Sequence, residues 1–274
     1  MILCGFVKWD AQILTANPAR LTAFGRKDEM KIISLGWGTQ SFALAAMAAL
    51  GDIEPVDFAI HADTTHERMA TYQFAERWTP WLEERGVKVV TVDAGDVPKG
   101  VYEGKFIPAF TDSGIALRTC TQRWKIQPMR REIQKQRDGA QVEQWLGITL
   151  DEVQRMRQSD VKYITNRYPL IEMRMSRWDC IRWLDEHDLE VPTRSACTFC
   201  PFHSRAEWRD IRDNAPEDWE KAVEVDKLIR KARPPYDLFV CNQRKPLVDC
   251  DFDTQEDAGQ LSLWDNECAG ICGV

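Results

Sequence analysis

The sequence has little of what marks membrane proteins or proteins that grip duplex DNA. No apolar run in its 274 residues approaches the roughly 18 to 20 residues that a membrane-spanning helix needs. The N-terminal segment MILCGFVKWDAQ is too short and too polar for the apolar core of a signal peptide. Lysine and arginine number 36 against 43 aspartates and glutamates, and this net charge of −7 argues against a broad basic face, although a local basic stripe stays compatible with it. We therefore expect a cytoplasmic protein that has no membrane partner.

Cysteine, by contrast, is abundant. Nine cysteines are many for a reducing compartment, where clustered cysteines are more often metal ligands or redox centres than disulfides. The hydrophobic fraction of 44% and the charged fraction of 29% are ordinary for a globular protein with a core. We interpret the eleven scattered tryptophans as core and packing residues.

Apolar runs alternate with helical patterns from residue 30 onward. Strands are predicted at 31–35, 56–62 and 87–94, and helices at 41–50 and 66–86. Gly51 ends the first helix, and Pro80 leaves the second as one helix or two. The alternation predicts an α/β fold with a doubly wound, mostly parallel sheet. Ligands bind at the carboxyl ends of such strands, which are here residues 34–41, residues 62–64 and Asp93.

The second half of the chain is predicted to be more helical. A loop-rich stretch at 95–119 precedes helices at 123–137 and 176–187, a strand at 141–148 and a charged helical region that reaches about residue 233. Thr149 and Glu152 have the spacing of a capping box, and Ser176 is a predicted N-cap.

The loop SLGWGTQS, residues 34–41, joins the first strand to the first helix. Gly36 and Gly38 let the backbone turn sharply and bring its N–H groups close to an anion, to which the helix N-terminus adds a favourable dipole. Ser41 stands where its hydroxyl can donate to the same anion. The loop lacks the lysine of a GxxxxGK[ST] motif and is not GxGxxG. We interpret it as a phosphate loop, and a tight turn without a ligand is the alternative.

Motifs in chain order resemble one family. The loop at 36–41 resembles the SGGxDS loop of the PP-loop ATP pyrophosphatase superfamily. The stretch HADTTHERMATY at 61–72 resembles the ADTG…E…TY segment of phosphoadenylylsulfate (PAPS) reductases, and residues 120–128 resemble their cysteine–lysine–proline segment. Gly147, the acids at 151–152, and the proline and tryptophan positions at 169–192 resemble the stretches that lead to the family's CxxC. The resemblance spans roughly residues 31–203.

The resemblance implies an adenine nucleotide alpha-hydrolase-like fold that binds ATP or another adenine nucleotide. The nucleotide-binding residues that it implies are Ser34, Gly36, Trp37, Gly38, Thr39, Gln40, Ser41, Asp63 and Thr64. Trp37 stands where the family has Gly, Gln40 where it has an Asp tied to Mg²⁺ or to loop geometry, and Thr65 where it has Gly. A requirement for Mg²⁺ is therefore left open.

The same resemblance divides the chain into three parts. Residues 1–29 are an extension without an assigned role, 30–203 form the PP-loop, PAPS reductase-like domain, and 204–274 form a helical, cysteine-bearing region that packs on that domain. Four basic residues are candidates for binding a sulfate, a phosphate or a nucleic-acid backbone: Arg123, Lys125, Arg130 and Arg155. Lys125 is also a candidate catalytic group. A solvated helix face is the alternative interpretation of these charges.

Cys197 and Cys200 form a CxxC, which fits a redox pair, a zinc half-site or an iron–sulfur half-site. The resemblance implies a [4Fe–4S] cluster, with zinc as the alternative, that also uses Cys120. The family usually has two adjacent upstream cysteines, whereas threonines flank Cys120. We therefore predict Cys272 of the tail as the fourth ligand and Cys268 as the catalytic, sulfur-handling thiol, with the exchange of these two roles left open.

The other cysteines are predicted to be structural. Cys180 lies in the middle of a predicted helix, and Cys4, Cys241 and Cys250 have no partners at ligand spacing. His203 follows the CxxC and is either a ligand or a hydrogen-bonding surface histidine.

Three functions follow from these features. The first is ATP-dependent adenylation and sulfur transfer of the nucleic-acid thiolation type, which implies a sulfur donor protein and a nucleic-acid substrate as partners. The second is reduction of a sulfated adenine nucleotide, and the third is a noncatalytic nucleotide-binding module with structural zinc. Amide-forming or other ligase chemistry of the PP-loop type is a further alternative.

Overall fold

A parallel sheet organises the structure, a computed structural model that describes residues 28–115 and 119–253. Its five strands lie in the order β3-β2-β1-β6-β7, and each pairing between neighbours is parallel. The strands are β1 Glu29–Ser34, β2 Phe58–Asp63, β3 Val89–Asp93, β6 Gln141–Leu146 and β7 Ile164–Arg167. The predicted parallel α/β sheet is confirmed. The predictions for Cys4, Cys268 and Cys272 lie outside the described residues.

The two faces of the sheet are both covered, because the apolar side chains of the strands alternate between two cores. In β1, Ile33 packs into one core and Ile32 into the other. The first core holds helices α1 Thr39–Leu50, α2 Met69–Glu84 and α6 Arg177–Glu186, and the second holds α4 Gln127–Gln136. Helices on both faces are what a doubly wound sheet requires, and they explain the short apolar runs at 32–33 in β1 and 58–60 in β2.

Most predicted helices form close to their predicted bounds. Helix α1 ends at Gly51, whose φ of 84° lies in the left-handed region that glycine adopts readily. Helix α2 is a single helix that continues through Pro80. Helix α6 has Ser176 as its N-cap, with a capping box completed by Asp179. The predicted capping box of Thr149 and Glu152 is wrong, because the Thr149 hydroxyl contacts Asp151 and Glu152 turns towards Gln40 and Arg155.

A third apolar core joins the helical C-terminal region to the sheet half. It is built on α3 Val97–Tyr102, α7 Arg205–Asn214 and α8 Pro216–Ile229. Two buried carboxylates stabilise this junction. Asp218 accepts a hydrogen bond of 3.0 Å from the backbone N–H of Met69, and Asp226 accepts bonds of 3.0 Å from Val240 and Leu247.

Short elements complete the described chain. They are β4 Phe110–Thr111, β5 Gly114–Ile115, the π-helical turn Thr121–Ile126, the 3₁₀ segment Leu150–Arg155, α5 Pro169–Glu172 and the 3₁₀ turn Leu247–Asp249. The stretch 95–119, predicted to be rich in loops, thus contains a helix and the start of a hairpin. In the described part of the chain, no helix combines the length and the apolarity needed to cross a membrane.

Candidate functional site

One cavity of about 1000 Å³ opens at the carboxyl ends of β1, β2 and β6. Its wall contains nine of the predicted binding residues: Ser34, Gly36, Gly38, Thr39, Gln40, Ser41, Lys125, Arg130 and Arg155. Trp37, Asp63, Thr64 and Arg123 do not line it. The sheet therefore brings the phosphate loop and most of the basic candidates to one place, although they come from distant parts of the sequence.

The N-terminus of helix α1 has no capping side chain. Its N-cap is Gly38, which has no side chain to bond the free N–H groups, and its first turn carries no acid. The first N–H groups of a helix have no partner within the helix, and the helix dipole leaves them partly positive. Thr39, Gln40 and Ser41 line the cavity at this point, so the free end of the dipole faces the space where a ligand would bind.

Ser41 shapes the loop. Its hydroxyl accepts a hydrogen bond of 3.1 Å from the Gly36 N–H and donates one of 3.1 Å to the Gly38 carbonyl. The sequence predicted that this hydroxyl faces the anion. In the structure both of its bonds hold the loop closed, so the backbone N–H groups remain the donors that face the cavity.

Gly147, directly after β6, lies against the backbone of the phosphate loop at Gln40 and Ser41. A Cβ atom there would lie 2.8 Å from the backbone nitrogen of Ser41 and 2.9 Å from its Cα, distances that side chains do not tolerate. The glycine therefore permits β6 to approach the first turn of α1, and the loop position depends on this missing side chain.

Trp37 belongs to the core although it lies in the phosphate loop. Its φ of 58° falls in the left-handed region, where the family that the sequence resembles has glycine. The side chain is 1% exposed and packs near Phe42, His61 and Phe74. Burial of the indole thus offsets a backbone conformation that is unfavourable for a large residue, and only the backbone of Trp37 is available to the loop.

Gln40 links the loop to the segment after β6. Its amide donates to the Glu152 carboxylate at 3.4 Å, and Glu152 also pairs with Arg155. A carboxylate at position 40, as in the family that the sequence resembles, would stand against the buried Glu152 and be repelled by it. A neutral amide at position 40 is therefore compatible with the neighbouring Glu152 carboxylate, to which it donates a hydrogen bond.

Three predicted binding residues have other roles. Asp63 accepts hydrogen bonds from the Thr65 N–H at 2.7 Å and the Tyr72 hydroxyl at 2.8 Å, and so holds the turn after β2. The Thr64 hydroxyl donates to Glu67 at 3.0 Å. Arg123 pairs with Asp96 and lies over the Phe106 ring, away from the cavity lining.

Glu67 and Lys125 form an ion pair at the edge of the cavity. The Glu67 side chain has no exposed surface, and the Lys125 Nζ donates to it at 3.2 Å while itself lining the cavity. The hydroxyl of Ser195 adds a contact of 3.4 Å. Burial alone would raise the pKa of Glu67, but the charge of Lys125 and the hydrogen bonds from Lys125 and Thr64 hold that pKa below its ordinary value. Lys125 is therefore placed by a buried carboxylate, a role that the sequence did not predict for Glu67.

The CxxC lies beside this ion pair. The Sγ of Cys197 is 3.2 Å from the Thr64 hydroxyl, and the backbone of Cys197 bridges to that of Glu67. Burial and the Glu67 charge raise the pKa of Cys197 to about 12, so the thiol is neutral at pH 7. Cys120 precedes the π-helical turn that carries Lys125 and packs, like Cys197, against the third core.

The described cysteines do not assemble a metal site. Within residues 28–115 and 119–253, no three His, Cys, Asp or Glu side chains come together in a way that would hold a metal ion. His203 is buried, not a surface histidine as one interpretation held, and its Nε2 bonds the Cys197 carbonyl at 2.9 Å. Burial lowers the pKa of His203 to about 4. The ligand roles of Cys120, Cys197, Cys200 and Cys272 stay a prediction.

The other described cysteines lie in the apolar cores. Cys180 is fully buried, and burial raises its pKa to about 12. Cys241 and Cys250 are buried near one another, and a hydrogen bond from the Cys250 thiol lowers the pKa of Cys241 below its ordinary value. The sequence placed these two in structural roles but did not predict that they meet, because they are separated by a loop whose path no local pattern reveals.

The cavity has two unlike sides. Next to β2 the wall is mixed: β2 and the helical segment 121–136 supply four apolar side chains, Ile60, Ile126, Met129 and Ile133, and the same segment supplies Lys125 and Arg130. Next to β6 it is walled mainly by polar and charged residues, including Asp151, Glu152, Arg155, Arg157 and Arg177, and by Trp178. Since β2 and β6 flank β1 on opposite sides, the phosphate loop lies between a partly apolar side and a mainly polar one.

Comparisons with known proteins give likenesses among solved structures only. No protein-family model matches the chain, and no curated protein matches it at a significant level. Among solved structures, the chain is similar to phosphoadenylyl-sulfate (PAPS) reductase from Candida auris, solved as a phosphate complex, with a TM-score of 0.42 and 12% sequence identity. That likeness covers 61% of this chain and 75% of the other. The matched protein bears the name of the family that the sequence resembles, and the α/β fold described here follows from the sheet order itself.

Proposed function

We propose that the protein is an enzyme that binds an adenine nucleotide through the loop 34–41 and adenylates an acceptor for sulfur transfer. One observation carries the proposal. The N-terminus of α1 has neither a capping side chain nor an acid in its first turn, and it forms part of the wall of the cavity. An anion of the size of a di- or triphosphate is the ligand that such a site favours.

The two sides of the cavity support an orientation for this nucleotide. The four apolar side chains next to β2, Ile60, Ile126, Met129 and Ile133, suit a purine base, which is flat and largely apolar. With the base there and the phosphates on the loop, the polar side next to β6 remains for an acceptor. Arg155 and Arg177 lie on that side and favour a negatively charged acceptor.

The proposed reaction has two steps. An acceptor oxygen attacks the α-phosphorus, the bond to the β-phosphate breaks, and pyrophosphate leaves. A sulfur nucleophile from a donor protein then attacks the acceptor atom that bears the adenylated oxygen, the bond between that atom and the oxygen breaks, and AMP leaves with the oxygen. Backbone N–H groups at 39–41 and the Lys125 ammonium stabilise the charge that develops on the phosphates in the first step. A nucleic acid is the acceptor class that we propose.

The [4Fe–4S] cluster, the alternative zinc ion and Mg²⁺ are not needed to write these two steps. The described cysteines do not fit a cluster or a zinc ion as they stand, and Cys197 shares its Sγ contact with Thr64, so no step is routed through a metal. Mg²⁺ would reach the site with the nucleotide phosphates, since it is commonly held by phosphates and one or two carboxylates. Anaerobic purification with iron and zinc analysis tests the predicted cluster: about four irons per chain that are lost in Cys197→Ser would support it, and a chain without metal would reject it.

Calorimetric titration with ATP tests the nucleotide site. Ser41→Ala removes two hydrogen bonds that hold the loop, and we expect it to weaken binding by more than about 1 kcal/mol. Ser113→Ala, in the turn between β4 and β5, removes a hydroxyl outside the cavity lining and should bind as the wild type does. Equal affinities of Ser41→Ala and the wild type would show that the loop does not bind the nucleotide.

A second candidate function is reduction of a sulfated adenine nucleotide. The absence of an acid from the first turn of α1 favours it, since a reductase does not need Mg²⁺ at that loop. Titration with PAPS in parallel with ATP separates the two. Pyrophosphate release from ATP in the presence of a nucleic acid supports adenylation, sulfite release from PAPS supports reduction, and nucleotide binding without turnover of either supports a noncatalytic module.

A further inference from the structure

Exposed apolar side chains are concentrated on two segments that contribute to the cavity wall, and one of them, Trp178, itself lines the cavity. Among the described residues, eleven large apolar side chains are exposed, and five of them lie on two segments, residues 150–156 and 173–178. These five are Leu150, Val153, Met156, Met173 and Trp178. The two segments are neighbours, because the Leu150 N–H bonds the Met175 carbonyl at 3.0 Å and the Arg177 N–H bonds Asp151 at 2.6 Å. We call these five residues, with Arg155, Arg157, Arg174 and Arg177, the rim patch.

Trp178 is the most prominent member of the rim patch. It is 66% exposed, whereas the tryptophans at 37, 124, 145 and 208 are buried. It lines the cavity from the first turn of α6, a turn fixed by the capping box of Ser176 and Asp179. A large indole on a rigid turn presents a flat apolar surface with little loss of conformational freedom when a ring stacks on it.

The arginines give the rim patch a charge opposite to that of the whole protein. The stretch 150–178 holds six basic residues and four acids, in a chain whose net charge is −7. The Arg157 guanidinium donates to the carbonyls of Gln154 and Met156, both at 2.9 Å, and Arg174 is exposed. Positive charge beside an exposed aromatic ring is the combination that single-stranded nucleic acids bind.

We propose that the rim patch binds a single-stranded segment of the nucleic-acid acceptor, with a base stacked on Trp178 and a backbone phosphate beside Arg157. The proposal rests on the proposed function, since it names where the acceptor binds. The 3.4 Å contact between Gln40 and Glu152 joins the phosphate loop to the 3₁₀ segment of the rim patch. A strand held there lies next to the nucleotide phosphates, where an acceptor must be.

Single strands are preferred over duplexes for two reasons. A base within a duplex is stacked on both faces and cannot lie on Trp178, and duplex binding relies on a broad basic surface that a net charge of −7 opposes.

Fluorescence anisotropy with labelled oligonucleotides of about 15 nucleotides tests the proposal, since single-strand site sizes reach that length. Single-stranded DNA, single-stranded RNA and duplex DNA are compared on the full chain. We expect Trp178→Ala to weaken single-strand binding at least about fivefold, the loss of one stacked base, and Trp178→Phe to retain most of the affinity. Arg157→Gln should lower the slope of affinity against salt by about one phosphate contact.

Tyr102→Ala is the matched control, because this exposed aromatic lies on α3, outside the cavity lining, and it should bind as the wild type does. Equal single-strand affinity of Trp178→Ala and the wild type overturns the proposal, as do absence of oligonucleotide binding and equal affinity for duplex and single strand. ATP titration of the same variants separates the two proposals. If the wild type binds ATP but no oligonucleotide, the rim patch proposal alone is rejected. If the wild type does not bind ATP, the proposed nucleotide site is rejected.

Discussion

The phosphate loop and the loop that carries the CxxC both contribute to the wall of the cavity, and they differ in which of their groups face it. In the phosphate loop, residues 34–41, the backbone faces the cavity and the Trp37 side chain lies in the core. In the cysteine loop, residues 194–200, Arg194 and Ser195 face the cavity, whereas the Cys197 thiol points to Thr64. The reactive group is therefore exposed to a ligand in the first loop and withdrawn from it in the second.

The two loops also differ in how ready their groups are to bind a ligand. Phosphate is bound by backbone N–H groups, which a tight loop and a helix N-terminus supply without any particular side chain. A cysteine binds a metal as the thiolate, and burial beside Glu67 raises the pKa of Cys197 to about 12. Of the two loops, only the phosphate loop therefore presents groups in the form that binds a ligand.

The largest expected effect comes from breaking the ion pair of Glu67 and Lys125, which lies beside the cysteine loop. Lys125→Met leaves the fully buried Glu67 carboxylate without the cation that lies 3.2 Å away. We expect the free energy of unfolding to fall by about 3 kcal/mol, as for other buried pairs that lose one partner. Urea unfolding followed by circular dichroism measures it.

A double variant sharpens this test. Adding Glu67→Gln to Lys125→Met replaces the unpaired carboxylate by a neutral amide and should recover most of the lost stability. Lys99→Met is the control, because Lys99 is 78% exposed and its ion pair with Glu103 is weak. No recovery in the double variant would show that Lys125 stabilises through its packing and not through its charge.

The second effect falls on the phosphate loop alone. Gly147→Ala places a methyl group 2.8 Å from the Ser41 nitrogen and forces the loop or β6 to move. We expect ATP affinity to fall at least tenfold, about 1.4 kcal/mol, because the N–H groups no longer converge on one anion. Isothermal titration calorimetry measures it.

Gly86→Ala controls for general destabilisation. It strains a glycine with a φ of 87° after α2, outside the cavity lining, and should lower stability without changing ATP affinity. Wild-type affinity in Gly147→Ala would mean that the close approach of β6 is unimportant for the loop.

The sequence indicated the fold well because its strongest signals are local. Strands buried on both faces are apolar throughout, so β1 and β2 appear as continuous runs, and the loop after β1 has two glycines where the backbone must turn. Gly51 ends α1 for the same local reason. These features depend on neighbours in the sequence and not on how the chain closes.

The missed parts of the site are contacts between distant residues. Glu67 and Lys125 are 58 positions apart, and Gln40 and Glu152 are 112 apart. Whether Ser41 donates to a ligand or to its own loop depends on a rotamer that no sequence pattern reveals. Trp178 was predicted as a packing residue, and only its exposure shows otherwise.

The smallest expected effect concerns His61, which lies between the phosphate loop and the core. Its Nδ1 bonds the Leu35 carbonyl at 3.0 Å, and burial lowers its pKa below the ordinary value of 6.5. In the unfolded chain His61 is protonated near pH 6.5, whereas in the folded chain it is still neutral at that pH. Because the unfolded state then binds more protons, the free energy of unfolding falls as pH drops. We expect His61→Gln to remove less than about 1 kcal/mol of the decline in unfolding free energy between about pH 7 and pH 6, because the unfolded imidazole is only partly protonated there.

His187→Gln changes a histidine stacked on Trp183 at the surface and should leave the decline as it is in the wild type. An unchanged decline in His61→Gln would mean that the folded chain accepts this proton, and that the site beside the phosphate loop opens more readily than its burial implies.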